Sequence, residues 1–281
     1  MAISASVVKE LRDRTGLGMM DCKKALVEAD GDIDAAIEIL RKSSGMKAAK
    51  KAGRIAADGI LGSKVAGGKG VIVEVNCETD FAAKDESFKA FVETVTDKVF
   101  DTGTTDIEAL GLDSEREALV QKIGENISIR RAEVFEEGDQ VVEYIHTNGK
   151  IGVLVAMAGG TEELGRDVAM HIAAMSPTVV SPEDAPAELV AKEREIYTAQ
   201  AEESGKPPEI IEKMIDGRIK KYLSEISLLE QPFVKDGDTK VGALLKNQGA
   251  SISRFVRLEV GEGIEKEEED FAAEVQKQLG S

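Results

Sequence analysis

Apolar residues recur at three- and four-residue spacing over the first fifty positions, then alternate or run continuously beyond residue 55. That change of period predicts helices first and a mixed α+β body after them. Ser4 suits an N-cap, Val7, Val8 and Leu11 share a face, and Gly16 suits a helix exit. A second helix is expected over 19–29, closed by Asp30-Gly31, and a third from near Asp32 with Ile33, Ala36, Ile37 and Leu40 on one side. Three helices of this size bury little, which predicts a small bundle. Residues 41–54 then hold six Lys or Arg and no acid. Its alanines, Ala48, Ala49 and Ala52, predict a solvated linker helix with little to bury.

Strands are expected at 60–65, 71–77, 141–146, 151–157 and 255–260. Gly67-Gly68-Lys69-Gly70 reads as a tight turn between the first two. The runs Gly70-Val71-Ile72-Val73-Glu74-Val75, Gly152-Val153-Leu154-Val155-Ala156-Met157 and Phe255-Val256-Arg257-Leu258-Glu259-Val260 resemble one another. The first two each follow a glycine-bearing turn and precede an amphipathic helix, as 87–99 does after residue 77. Two related α+β core subdomains follow, each a small antiparallel sheet with helices on one face. Over 183–226, Leu189, Ile196 and Ala199 form one apolar face and Ile211, Met214, Ile215, Ile219, Tyr222 and Ile226 another. Gly205-Lys206-Pro207-Pro208 between them breaks the helix and predicts an inserted antiparallel hairpin. The expected division is 1–54 for bundle and basic linker, 55–140 for the first core subdomain, and 141–182 with 227–263 for the second. The hairpin at 183–226 and a terminal helical module at 264–281, with a helix over 271–279, complete it.

One corner carries candidate chemistry. The strand run through Val75 gives way to Asn76-Cys77-Glu78-Thr79-Asp80-Phe81-Ala82-Ala83-Lys84-Asp85 before the next helix. A phenylalanine there can fold into the core or stand out as a wedge for another protein. Asp270-Phe271-Ala272-Ala273 repeats four of these residues, but it follows an acidic run and suits a helix start. Phe81 is therefore the stronger candidate.

Catalytic constellations are missing. There is no Gly-x-x-x-x-Gly-Lys-Ser/Thr phosphate loop and no Gly-x-Ser-x-Gly elbow. Asp30, Asp32 and Asp34 start like a calcium loop, yet Ala35 stands where glycine is needed and Arg41 where a bidentate glutamate is needed. His146, His171, Cys22 and Cys77 lack the paired spacing of a zinc site. His171 lies in an apolar helix and reads as a buried structural residue, while His146 precedes an exposed Thr147-Asn148-Gly149 turn. We expect no metal, no cofactor and no enzymatic activity.

Length and charge narrow the class further. The chain of 281 residues suggests several folded units, and its net charge of −17 disfavours general nucleic-acid binding. Two cysteines make no disulfide framework, and neither a membrane span nor a signal-peptide pattern is visible, so a soluble cytoplasmic protein is expected.

Four further motifs accompany Thr79-Asp80-Phe81-Ala82: Thr15-Gly16-Leu17-Gly18-Met19-Met20-Asp21-Cys22-Lys23-Lys24-Ala25-Leu26, Lys122-Ile123-Gly124-Glu125-Asn126-Ile127, Gly205-Lys206-Pro207 and Val260-Gly261-Glu262-Gly263-Ile264-Glu265-Lys266. Together they resemble the bacterial elongation factor Ts family over essentially the whole length. Ala82 departs from the family's commoner valine. The resemblance implies a ubiquitin-associated-like amino-terminal bundle and nucleotide exchange on elongation factor Tu. It implies that Thr79, Asp80, Phe81 and Ala82 form the partner-binding corner, with Asp80 and Phe81 inserting beside the partner's Mg2+ site. Met19, Met20 and His146 are implied as secondary contacts, and a dimer of such heterodimers is allowed. A scaffold or adaptor built on the bundle and a coiled-coil hairpin is the alternative, but it gives Asp80-Phe81 no purpose.

Overall fold

The computed structural model describes residues 3–136, 138–202 and 207–265. Helix α1 (Ala5–Thr15) starts where the Ser4 hydroxyl accepts a hydrogen bond from the Val7 amide, and ends at Gly16 in the left-handed region. Helix α2 (Met19–Glu28) and α3 (Ile33–Lys51) complete a bundle around Leu11, Cys22, Leu26, Ala36 and Leu40. The Asp32 carboxylate caps α3 by accepting from the Ala35 amide at 2.9 Å.

Here the first expectation fails. The basic run is no solvated linker but the second half of α3, with Ser44 and Ala48 buried against α6 (Asp113–Ile123). Lys51 Nζ donates to the Gly124 carbonyl, and Asn126 Nδ2 donates to the Arg54 carbonyl at 2.8 Å. The small residues that suggested nothing to bury are what let two helices approach closely.

Strands β1 (Asp58–Ala66), β2 (Lys69–Cys77) and β3 (Ser128–Phe135) form one antiparallel sheet in that order. Gly67 and Gly68, at φ +59° and +82°, make the two-residue turn between β1 and β2, a geometry that β-carbons disfavour. Strands β4 (Gln140–Ile145), β5 (Ile151–Ala158) and β8 (Ser251–Glu259) form a second antiparallel sheet. On β2, Val71, Val73 and Val75 pack on α5 (Glu86–Thr102), while Ile72 meets Val141, Leu154, Ala156 and Leu258 of the second sheet. On β5, Val153, Val155 and Met157 pack on α7 (Glu162–Met175). The body is thus helix, sheet, sheet, helix. Both central strands are buried on each face, which is why they read as unbroken apolar runs.

Strand β3 was not anticipated. Arg130, Arg131 and Glu133 break its apolar alternation because two of them serve a buried acid. Glu74, fully buried in β2, accepts from Arg130 Nη1 at 3.0 Å, Arg131 Nε at 2.6 Å, Asn76 Nδ2 at 3.0 Å and the Gly261 amide at 2.8 Å. Burial pulls its pKa up, but these four donors together hold it below the usual carboxylate range. The last of them ties the turn after β8 to the first sheet. Gly261 itself is irreplaceable there, since an added Cβ would lie 2.2 Å from the Ala57 carbonyl oxygen.

The α8 (Ala187–Glu202) and α9 (Pro208–Ile226) pair forms the hairpin, closed by Val190, Tyr197, Ala201, Ile211, Ile215, Ile219 and Leu223. The α8 face expected from Leu189, Ile196 and Ala199 is not the seam: Ile196 and Ala199 are exposed. A one-residue offset turns a helix by about 100°, enough to exchange the two faces. At its base, Leu228 N donates to the Val179 carbonyl at 2.9 Å, and Thr178 N to the Ile226 carbonyl at 2.9 Å. The short strands β6 (Pro232–Phe233) and β7 (Asp236–Lys240) and helix α10 (Val241–Asn247) return the chain to β8.

His171 of α7 is buried. Its Nδ1 accepts from the Val234 amide at 3.1 Å, so Nε2 carries the proton toward Gln231 Oε1 at 2.9 Å. Burial pushes its pKa down. No helix among the described residues is long and apolar enough to cross a membrane. The helix expected over 271–279, the repeat beginning at Asp270, and Gly205-Lys206 lie outside the described residues.

Candidate functional site: an exposed aromatic on a capped corner

Strand β2 ends at Cys77, and the backbone turns through Glu78 and Thr79 into α4 (Asp80–Lys84). The Thr79 hydroxyl caps this helix by accepting from the Ala82 amide at 3.3 Å. Ala82 and Ala83 are buried in the cluster of Val75, Cys77 and Phe88. With its alanine face turned inward, α4 presents Phe81 outward at 81 % exposure, the highest among the large hydrophobic side chains of the described residues. Asp85 ends α4 and begins α5, its carboxylate accepting from the Ser87 amide at 2.8 Å. The aromatic therefore stands on a short helix fixed at both ends.

Asp80 lies beside it, its carboxylate 2.6 Å from Lys84 Nζ. That hydrogen bond holds the Asp80 pKa below the usual range and the Lys84 pKa above it. Lys84 Nζ also lies 5.9 Å from the Phe81 ring centroid. Cys77 is no nucleophile: burial pushes its thiol up to about 12, and the S–H donates to the Thr79 carbonyl at 3.2 Å. Among the described residues, no group of three His, Cys, Asp or Glu side chains is placed to hold a metal.

The corner is braced by the segment after α6. Glu125 Oε2 accepts from the Glu78 amide at 3.0 Å and the Thr79 amide at 2.9 Å. Its Oε1 accepts from the Thr79 hydroxyl at 2.6 Å. In return, Glu78 Oε1 accepts from the Asn126 amide at 2.6 Å. Glu125 lies within a sequence motif that gives no sign of this role, because its partners lie 46 and 47 residues away.

An open groove of about 640 Å3 runs between bundle and corner, lined by Gly16, Met19, Phe81, Lys122 and Glu125 among others. Residues of three separate motifs thus meet in one place. Met19 and Met20 are 53 % and 64 % exposed at the start of α2. His146 does not join them. Its Nδ1 is 2.9 Å from the Tyr144 hydroxyl, and it opens on another groove, of about 460 Å3, with Met170, Val234 and Arg257.

A solid apolar projection flanked by charge has the shape and chemistry of an anchor for another molecule's surface. Comparison with known proteins bears on which molecule. The family model described as Elongation factor TS matches residues 78–262. Elongation factor Ts of Hahella chejuensis is 62% identical over 283 residues, covering 99% of this chain and 99% of that protein. Those of Teredinibacter turnerae and Saccharophagus degradans are each 60% identical, covering 100% of this chain and 98% and 99% of their own. On these grounds the chain belongs to the elongation factor Ts family.

Proposed function

We propose that this protein binds elongation factor Tu in its GDP form and drives release of the nucleotide, so that GTP can take its place. The observation that carries the reading is Phe81, 81 % exposed on a helix held rigid at both ends. Burying such a side chain in a partner is worth about 1.5–3 kcal/mol, and a fixed backbone loses little entropy in doing so. Family membership supports the identity of the partner.

No bond is made or broken. A protein that favours the nucleotide-free conformation lowers GDP affinity by the same factor by which GDP lowers its own. Asp80 brings negative charge toward the place where Mg2+ and phosphate oxygens are held, and Phe81 occupies space that their ligands need. Lys84 holds the Asp80 carboxylate in an ion pair at 2.6 Å until docking. Met19 and Met20 supply adaptable apolar contacts beside the wedge, and His146 grips a more distant part of the partner.

The test is release of fluorescent GDP from purified elongation factor Tu. The wild-type protein should accelerate it strongly. Phe81→Ala should lose most of that acceleration while still co-purifying with the nucleotide-free partner. No acceleration by the wild type at saturating concentration would reject the reading.

A further inference from the structure

We infer that Glu125 is the positioning residue of the wedge, setting the orientation of Phe81 without touching the partner's nucleotide site. The inference rests on the exchange reading above. Glu125 gives its carboxylate to three donors, all in the two residues that precede Asp80: the Glu78 amide, the Thr79 amide and the Thr79 hydroxyl. The last of these decides the geometry. A hydroxyl has one hydrogen and two lone pairs. With its hydrogen committed to Glu125 at 2.6 Å, the Thr79 oxygen turns a lone pair to the Ala82 amide at 3.3 Å. The N-cap of α4 is thus oriented by a carboxylate from a different element.

The brace is itself anchored on both sides. Asn126 donates its amide to Glu78 and its side chain to the Arg54 carbonyl, while Lys51 donates to the Gly124 carbonyl. Gly124, Glu125 and Asn126 therefore link α3, and through it the amino-terminal bundle, to the base of α4. A five-residue helix has no stability of its own. Without the carboxylate, two backbone amides lose their acceptor and the cap loses its orientation, so Phe81 samples several directions. A misplaced wedge still docks, but it distorts the nucleotide site less.

The experiment separates docking from distortion. GDP release from elongation factor Tu is followed against exchange-factor concentration for wild type, Glu125→Ala, Glu125→Gln, Phe81→Ala and the Glu125→Ala/Phe81→Ala double variant. Glu125→Ala should lower the plateau rate by roughly tenfold, within the range over which binding at one site is coupled to another. Its half-saturating concentration should stay within about twofold. Glu125→Gln, which keeps one acceptor oxygen, should recover part of the plateau. In the Phe81→Ala background, removing Glu125 should cost almost nothing more, because it acts through that ring. Amide hydrogen exchange on the free protein gives a readout independent of the partner: Glu78 and Thr79 should lose protection in Glu125→Ala while β2 keeps its own. A normal plateau in Glu125→Ala, or full additivity with Phe81→Ala, would overturn the inference while leaving the exchange reading intact. Failure of the wild type to release GDP would instead remove the exchange reading itself.

Discussion

Phe81, exposed on the outer face of α4, is also a side chain the fold can spare. Its neighbours Ala82 and Ala83 make the core contacts of α4, so Phe81→Ala should leave the melting temperature within about 2 °C of wild type, in line with a surface substitution. A large fall would mean that the ring packs inward. His171 behaves in the opposite way. It is buried neutral, with its folded pKa below the ordinary 6.5, so the unfolded chain takes up its proton first. Its contribution is complete above about pH 6.5 and is lost as the pH falls from there toward the folded value. Denaturant midpoints between pH 7.5 and 5.5 should drop more for wild type than for His171→Gln, and equal drops would remove His171 as the cause. The residues around Phe81 leave it free to fold inward or stand out, and it is the match of Thr79-Asp80-Phe81-Ala82 and the other motifs to a family that singles it out in the sequence. Glu125 was not legible there, because its meaning lies in three donors on a distant strand end.

Elements were legible in proportion to how simply they meet their neighbours. Strands β2 and β5 are apolar on both faces and announce themselves, while β3 carries two arginines for one buried glutamate and so reads as surface. Helix α6 shows only Leu119 and Val120 as buried residues, too few to make a periodic signal. The hairpin was visible from its prolines, but its α8 seam was placed one position off, on residues 189 and 196 instead of Val190 and Tyr197. Because the segment leaves and rejoins the body at Val179 and Ser227, its helices can be removed without drawing the sheets apart. Replacing residues 187–224 by a short Gly-Ser bridge should lower helical circular dichroism yet leave a cooperative melt. Loss of that cooperative melt would show the hairpin to be part of the main fold. Ile219→Ala offers a milder probe, costing the seam about 2–4 kcal/mol while leaving the body unaffected.

At the scale of the whole molecule, α3 belongs as much to the body as to the bundle. Cutting the chain after residue 52 removes Ser44, Ala48 and Lys51 from α6 and Gly124. A loss of about 2–3 kcal/mol corresponds to a melting temperature lower by roughly 4–12 °C for a chain of this size. Cutting after residue 31 keeps those contacts and should melt closer to the full-length protein. Identical melting of both truncations would mean that α3 contributes nothing to the body. The chain carries a net charge of −17, and within the bundle Lys47 of α3 pairs with Asp21 of α2 at 3.2 Å. The bridge between Val179 and Ser227 bears on size as well as on architecture. Seen from the sheets, everything beyond it is a single closed excursion of the chain. Doubling the length of such an excursion adds only about 0.6 kcal/mol of closure entropy. Each residue added to its helices extends the tip by about 1.5 Å. The reach of this protein is thereby uncoupled from its stability, and the one can change while the other stands still.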